Sequence, residues 1–434
     1  MQKAVQPMIS IATAYRTGEL PMFKIVRFPK KLNPFFAGLD QKFHWDHFEY
    51  FRLLVLLMAF SWGKRTVSNL YRHLDSDNHS HRTRFNNFLT VERNDLAELL
   101  KNKAYFTLME LGLQGGDVAY LILDDSKKEK RGKKMDGVSW IYDPTTGRKI
   151  RGHQYVTAIL HFKGFEIPFG IKLYTNKSNA KSLDIEFKKS TDQAAELIDS
   201  FESPVAGVKV IVLYDSYYLC KTVINTCNKK GFFFASTLKS NRNLFRRGHK
   251  TKSKKLGSKL FKTQRKKHLT ITKESGAASY DYVDAGWMDV SSAGRLHVLF
   301  SRKKGEGKIL GIVTNDPNLS PKEIIAAYDK RWNIEVFFKD AKQCLGLGQY
   351  QNVPYGAAVT HLHLVCFAHA LLTHVAIERR REKGKKSKHT ENMSIGMLQN
   401  ELRRIVWDDL TKHLEKFSTG NAVIKELAKL LVAA

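Results

Sequence analysis

Cysteine is scarce in this chain, acid is outnumbered, and no long apolar run goes uninterrupted. The 434 residues hold four cysteines, Cys220, Cys227, Cys344 and Cys366. They form no CxxC pair and no metal-ligand spacing, which excludes a disulfide scaffold or a zinc ribbon and suits a reduced, cytoplasmic protein. Cys220 and Cys227 are spaced for one face of a helix. His363 and Cys366 have no second ligand pair, so they read as core packing, not zinc. The N-terminus, MQKAVQPMISIATAYRTGEL, lacks the sustained apolar segment of a signal peptide. The longest uncharged apolar run, VPYGAAVTHLHLVCFAHALLTHVAI, would span a bilayer by length. His361, His363, His369 and His374 interrupt it, so it reads as a buried helix and no membrane is implied. There is no internal repeat.

What is abundant is positive charge. Lys and Arg total 72 against 42 Asp and Glu, a formal charge of +30. Such self-repulsion calls for a polyanionic partner, and nucleic acid fits it best. With 43% hydrophobic and 11% aromatic residues the chain builds proper cores, and its length allows about two to four domains.

The pattern along the chain changes several times. Residues 1–113 read as a helical, DNA-binding region. Within it, WDHFEYFRLLVLLMAFSWG carries a helical stripe, and the short basic segments KRTVSNLYRHLDSD and HSHRTRFNNFLTVERNDLAELL suit a helix-turn-helix-like reader. Residues 114–239 then alternate strands and helices. DVAYLILDDS, HQYVTAILHF, FEIPFGIKLY, VKVIVLYDS and FFFAST read as strands, with Lys163-Gly164 as a hairpin turn. SLDIEFKKSTDQAAELIDSF and YYLCKTVINTCNKKG read as helices. Residues 240–318 form a β-rich insertion with a basic surface; from Lys239 to Lys267 there are 13 Lys or Arg and no acid. Residues 319–378 return to the α/β core, opening at Ser320 as N-cap and Pro321 as the first helical residue. Residues 379–434 are helical. The fold class is α/β, a mixed sheet with helices on both faces.

Two apolar strands end in acid, at Asp125 and Asp215. The segment YDKRWNIEVFFKDAK is helix-forming, and at about 100° per residue it lines up Tyr328, Arg331, Glu335 and Lys342 in a stripe about 60° wide. Carboxylates converging beyond strand ends repel one another unless a cation neutralises them, and carboxylate oxygens suit Mg²⁺. Asp124 and Asp125 alternate on their strand, so they point opposite ways.

Tyr328, Arg331, Glu335 and Lys342 reproduce the spacing Y-(2)-R-(3)-E-(6)-K, and the chain thereby resembles the DDE transposases of bacterial insertion sequences, the cut-and-paste group with an RNase H-like catalytic core. LDDS resembles that family's first acidic motif, in which the catalytic Asp directly precedes Ser or Thr. This assigns Asp125 and leaves Asp124 structural. VLYDSYY resembles the second motif and assigns Asp215. The intervals of 90 residues from Asp125 to Asp215 and 120 to Glu335 match a family β-strand insertion in the second interval.

The resemblance implies that Asp125, Asp215 and Glu335 hold two Mg²⁺ ions, with Mn²⁺ able to substitute. It implies cleavage at the element's ends, attack of the freed 3′-OH on the opposing strand, often through a DNA hairpin, and transfer to target DNA. The partners would be double-stranded inverted-repeat ends and target DNA, and a homodimer would synapse two ends in the bacterial cytoplasm, at the nucleoid. Tyr328, Arg331 and Lys342 would contact DNA beside the break. Arg246, Arg247, Lys254 and Lys255 of the insertion would track phosphates. The last insertion strand, KILGIVTND, lacks the Trp that some relatives stack on a flipped base; Trp287 would be the substitute. KKEKRGKK, after Asp125, would meet DNA near the metals, and His153 would face the site or begin a strand. Two alternatives share these features: an RNase H-like nuclease without strand transfer, and a DNA-binding derivative without catalysis.

Overall fold

Twelve strands join into one mixed sheet. The computed structural model describes residues 22–431, apart from positions 44, 78, 80, 92, 94, 133, 144–145, 247, 274–275, 383–392 and 418. In chain order, after short helical turns at Lys30–Leu32, Asn33–Phe36 and Asp40–Lys42, come helices α1 (Trp45–Phe60), α2 (Val67–Tyr71), α3 (Arg82–Thr90) and α4 (Asp95–Glu110). Then follow β1 (Val118–Glu129), β2 (Ser139–Asp143), β3 (Arg148–Phe162), β4 (Phe165–Tyr174), α5 (Lys177–Ser182) and α6 (Ser190–Asp199). Next are β5 (Lys209–Tyr214), α7 (Lys221–Lys229), β6 (Phe233–Thr237), β7 (Asn243–Arg246), β8 (His249–Lys252) and α8 (Ser253–Thr263). They lead to β9 (Lys267–Lys273), β10 (Gly276–Val290), β11 (Gly294–Lys303) and β12 (Leu310–Thr314). Helices α9 (Pro321–Asp329), α10 (Trp332–Cys344), α11 (Tyr355–Glu382), α12 (Ile395–Leu414) and α13 (Gly420–Leu430) come last. The chain divides into two units, one of Lys101–Arg131 with Gly137–Phe338, the other of Met1–Leu100, Gly132–Asp136 and Lys339–Ala434.

The first unit holds the sheet. Its centre runs β4-β3-β1-β5-β6, with β3 antiparallel to β1 and β4, β5 parallel to β1, and β6 parallel to β5. That order is RNase H-like. The insertion does not fold apart from it: β12 pairs antiparallel with β6, and β11, β10, β7 and β8 continue the same sheet. One face buries Leu121, Leu123, Val156, Ala158 and Val212 beneath residues of α6 and α7 such as Ala194, Ile198, Val223 and Cys227. On the other face Ile324 and Ile325 of α9 pack on Leu299 and Ile312. The β3–β4 turn has positive φ at Lys163 (47°) and Gly164 (86°), the pair of left-handed residues that a two-residue hairpin requires.

The second unit is helical. α1 packs against α11, α3 and α12. The last carbonyls of a helix lack partners within it, and here side chains supply them. Arg65 Nε donates to Met58 O at 3.1 Å, Gln399 Nε2 to Ala59 O at 2.7 Å and Arg403 Nη2 to Phe60 O at 3.3 Å. Two guanidinium groups at a helix C-terminus also face the negative end of its dipole. α11 is the one helix among the described residues long and apolar enough to cross a membrane, and 94% of its apolar window is buried in the protein. Its histidines are bonded as core groups: His361 Nε2 with Gly346 O at 2.9 Å and His363 Nδ1 with Val359 O at 2.9 Å.

Local structure departs from the expected elements at several points, and Ser139–Asp143 is a strand that the sequence left unassigned. Tyr328 to Lys342 is not one helix: α9 ends at Asp329, Lys330 and Arg331 form a turn, and α10 begins at Trp332. The first strand does not end at Asp125 but continues to Glu129, because its partner β3 continues alongside through Gly152. Residues 183–189 are not helical, and Asp184 takes a positive φ of 52° there. The basic stretch contains a helix, α8, which buries Leu256, Leu260 and Phe261. Finally, residues 72–81 separate α2 from α3, longer than the turn of about three or four residues in a helix-turn-helix.

Candidate catalytic carboxylate cluster

Alternation along β1 decides which carboxylates can meet. Asp124 shares a side of the sheet with its partner Thr157, and Asp125 shares the other with Val156. Tyr155, on the Thr157 side, lies 6.4 Å from the Phe338 ring of α10. His161, also on that side, hydrogen-bonds Asn333 at 2.8 Å. Helix α10 therefore covers the Asp124 side, whereas Val156 belongs to the core under α6 and α7.

Arg331 joins two acids on the α10 side. Its Nη1 donates to Asp124 Oδ2 at 3.1 Å and its Nη2 donates to Glu335 Oε1. Its guanidinium carbon is 5.9 Å from the centroid of Tyr328, whose hydroxyl donates to Thr237 Oγ1 at 3.4 Å. Glu335 sits in the first turn of α10, and Lys342 in its last. The break before Trp332 thus leaves Tyr328, Arg331 and Glu335 together.

Asp125 has different partners. Gln154 Nε2 donates to its Oδ2 at 2.9 Å, Lys127 Nζ lies 3.1 Å from the same oxygen, and the Tyr218 hydroxyl donates to Oδ1 at 3.4 Å. Asp215 follows the last residue of β5, and its Oδ1 accepts from the Tyr217 amide at 2.9 Å. Burial pushes the Asp124 carboxyl up to about 7; Arg331 opposes the rise, and the charges of Asp125 and Asp215 add to it. Burial raises Asp215 as well, against the Tyr217 amide and Arg331, with Asp125 adding. Asp124, Asp125 and Asp215 are thus within electrostatic reach of one another. Gln154, Tyr218 and the Asp124–Arg331 bond are the parts that sequence reading did not single out. Alternation on the strand separates the two aspartates in sequence, but the helix that covers each face is a tertiary fact.

The insertion residues lie elsewhere. Trp287 is on β10, five places from β1 in the strand order. It is 39% exposed and stacks on His297 at 5.6 Å, and His297 Nε2 bonds Asp284 Oδ1 at 2.8 Å. Arg246 is exposed on β7. Lys254 and Lys255 of α8, with Lys252, Ser240, Asn241 and Ser258, line a hollow of about 420 Å³. Arg247 lies outside the described residues. His153 is fully buried on the Asp124 side of β3.

Carboxylates gathered where burial disfavours their charge, already drawing a guanidinium to them, form an all-oxygen donor set that fits a hard divalent cation. Strand order and acidic cluster together define an RNase H-like protein of the nuclease and transposase class. The chain belongs to the DDE transposase superfamily: the family model described as DDE superfamily endonuclease matches residues 34–283, and that described as transposase DDE domain group 1 matches residues 182–405. No curated protein matches the chain.

Proposed function

We propose that the chain is the transposase of an insertion sequence, binding that element's inverted-repeat ends, cutting DNA there and transferring the freed 3′ ends to a target. The observation that carries this reading is the bond chain from Asp124 through Arg331 to Glu335, beside Asp215. It supports a site in which Asp215, Glu335 and the β1 carboxylates hold two Mg²⁺ ions, or Mn²⁺ in their place. Bound there, such ions activate the attacking oxygen and stabilise the leaving one. The motif match favours Asp125 as the β1 ligand, and the bond chain gives Asp124 an equal claim. Gln154 and Tyr218 fix the Asp125 carboxylate, and Lys127 lies beside it. Arg331 and Lys342 would bind phosphate oxygens flanking the break, Arg331 through its planar fork, and Tyr328 would pack on the backbone. Arg246, Arg247, Lys254 and Lys255 would hold DNA farther out, with Trp287 offering a stacking face. Two ends must be brought together, so the working form would be a homodimer on DNA in the cytoplasm.

The test is cleavage of a plasmid carrying the gene with its native flanking DNA, using wild-type protein and Glu335→Gln, each with Mg²⁺ or EDTA. Metal-dependent cuts at the element's borders, lost in the variant, support the reading. Products joined to target DNA separate a transposase from a nuclease. Folded wild-type protein that binds the ends without cutting overturns it.

A further inference from the structure

A second nucleic-acid surface lies on the β2–β3 ribbon. Ser139–Asp143 pairs with Arg148–Gly152, placing Trp140 opposite Arg151 and Tyr142 opposite Lys149. Opposed residues share a face, so one side of the ribbon carries two aromatic rings and two cations. The other side carries the pair Ile141 and Ile150, at 7% and 8% exposure. Trp140 is 69% exposed and Tyr142 58%, more than any other large apolar side chain among the described residues. The ribbon therefore buries its aliphatic face and offers its aromatic one to solvent.

The position of that face gives it a meaning. Lys149, Arg151, His153, Tyr155 and Thr157 alternate along β3 on one side, and Thr157 is the partner of Asp124. The aromatic face thus lies on the same side of the sheet as Asp124, Arg331 and Glu335, with the buried His153 and Tyr155 between them. Arg151 is six residues along β3 from Thr157, which at about 3.4 Å per residue places Trp140 roughly 20 Å from Asp124. That span corresponds to about six nucleotides of stacked DNA at about 3.4 Å each.

We infer that the β2–β3 ribbon binds an unpaired DNA strand about six nucleotides from the scissile phosphate, with Trp140 and Tyr142 stacking on bases and Lys149 and Arg151 meeting phosphates. Exposed rings interleaved with cations are the means of holding single strands without reading sequence, since every base has a π face. The charge matches: the face is cationic and the whole chain carries +30. The inference rests on the DNA-processing reading above, and it adds an unpaired flank to the substrate.

The test is binding of full-length protein, in EDTA so that nothing is cut, to two labelled oligonucleotide substrates carrying the element's end. One is fully paired, and the other is forked with an unpaired flank beyond the cleavage point. The Trp140→Ala/Tyr142→Ala double variant should lose at least about tenfold in affinity for the fork and less than about twofold for the duplex, with an unchanged melting temperature. Lys149→Ala should lower the salt-dependence slope for the fork by about one. Equal affinity of wild type and double variant for the fork overturns the inference. So does an equal loss on both substrates, which would mean contact with duplex, or a double variant that dissociates a wild-type dimer, which would mean that a second copy covers the face. Border cleavage by wild type with no ribbon effect sinks the ribbon alone. A ribbon effect without any border cleavage sinks the transposase reading alone.

Discussion

Arg331 holds Asp124 across 207 positions of sequence, Nη1 to Oδ2 at 3.1 Å. The same guanidinium reaches Glu335 four residues ahead of it, so one planar cation ties the centre of the sheet to the helix that covers it. Lysine could not do both, because an ammonium is a point charge without the fork. Arg331→Ala leaves the buried Asp124 carboxylate without its charge partner, held only by the Asp125 amide at 2.8 Å, at a cost of roughly 1–3 kcal/mol. Arg331→Lys should recover less than half of that loss in urea unfolding. Full recovery would mean that charge alone, not geometry, is what the site needs.

The pH dependence of stability follows from the direction of the Asp124 shift. Its carboxyl is raised from an ordinary 3.8 to about 7 in the folded protein, so the native state binds the proton more tightly than the unfolded chain. This stabilisation is fully present below about 3.8 and is lost as pH rises through about 7. Asp215 shifts the same way. Metal-free protein should therefore melt at a higher temperature at pH 5.5 than at pH 8, and Asp124→Asn should flatten the difference. Mg²⁺ at pH 8 should restore part of it. A melting profile with the opposite slope, unchanged in the variant, would remove Asp124 as its source.

The two β1 aspartates can be told apart. Asp124→Asn and Asp125→Asn each remove one charge while keeping shape. Whichever supplies the metal ligand should lose cleavage by about 10³-fold or more, the scale for deleting a principal electrostatic group at a reacting centre. The other should retain cleavage within about tenfold. Border cleavage by each variant across a Mg²⁺ titration reads the difference, and loss in both would mean that the pair works as a unit.

Helix α8 depends on one small residue. A Cβ at Gly257 would stand 2.6 Å from Cδ1 of the buried Phe300 ring on β11. Gly257→Ala should destabilise by about 1–3 kcal/mol through overpacking. Phe300→Leu in the same chain should return part of it, as a double-mutant cycle would show.

The lysines of that helix should act through charge alone. Lys254→Ala and Lys255→Ala should weaken binding about equally across DNA sequences, each lowering the salt-dependence slope by about one. A slope that stays fixed in both would place the DNA path away from α8.

The strands were legible because their apolar runs are bounded by turn residues, and Lys163-Gly164 shows how far that goes: two residues sufficed to read the hairpin. The strand-terminal position of Asp215 and the N-cap at Ser320 also follow from sequence alone, and Ser320 accepts from the Glu323 amide in a full capping box. The misses have particular causes. LGSKLF carries the spacing of a buried helical face in Leu256, Leu260 and Phe261, but the lysines around it mask the signal. The turn at Lys330 and Arg331 interrupts a segment in which every residue tolerates a helix, so only packing reveals it. β1 runs past Asp125 because β3 is long enough to pair with it, a property of the partner strand. Asp124 against Asp125 is the sharpest case: period two separates them, yet the side on which α10 lies is decided by Phe338, more than 200 residues away.

The pairing of β6 with β12 sets Thr237 beside Ile312. Adjacent strands are only about 4.8 Å apart, so everything between those two residues leaves the sheet's centre and returns to nearly the same place. The intervening polypeptide is also held at a second place, where Leu299 packs against Ile324 and Ile325 and the Tyr280 hydroxyl donates to Asp329 Oδ1 at 2.7 Å. Remodelling of β10 or β11 would therefore be felt two residues from Arg331. The basic insertion thus buttresses the helix that leads into Arg331, and it is constrained wherever it touches that helix.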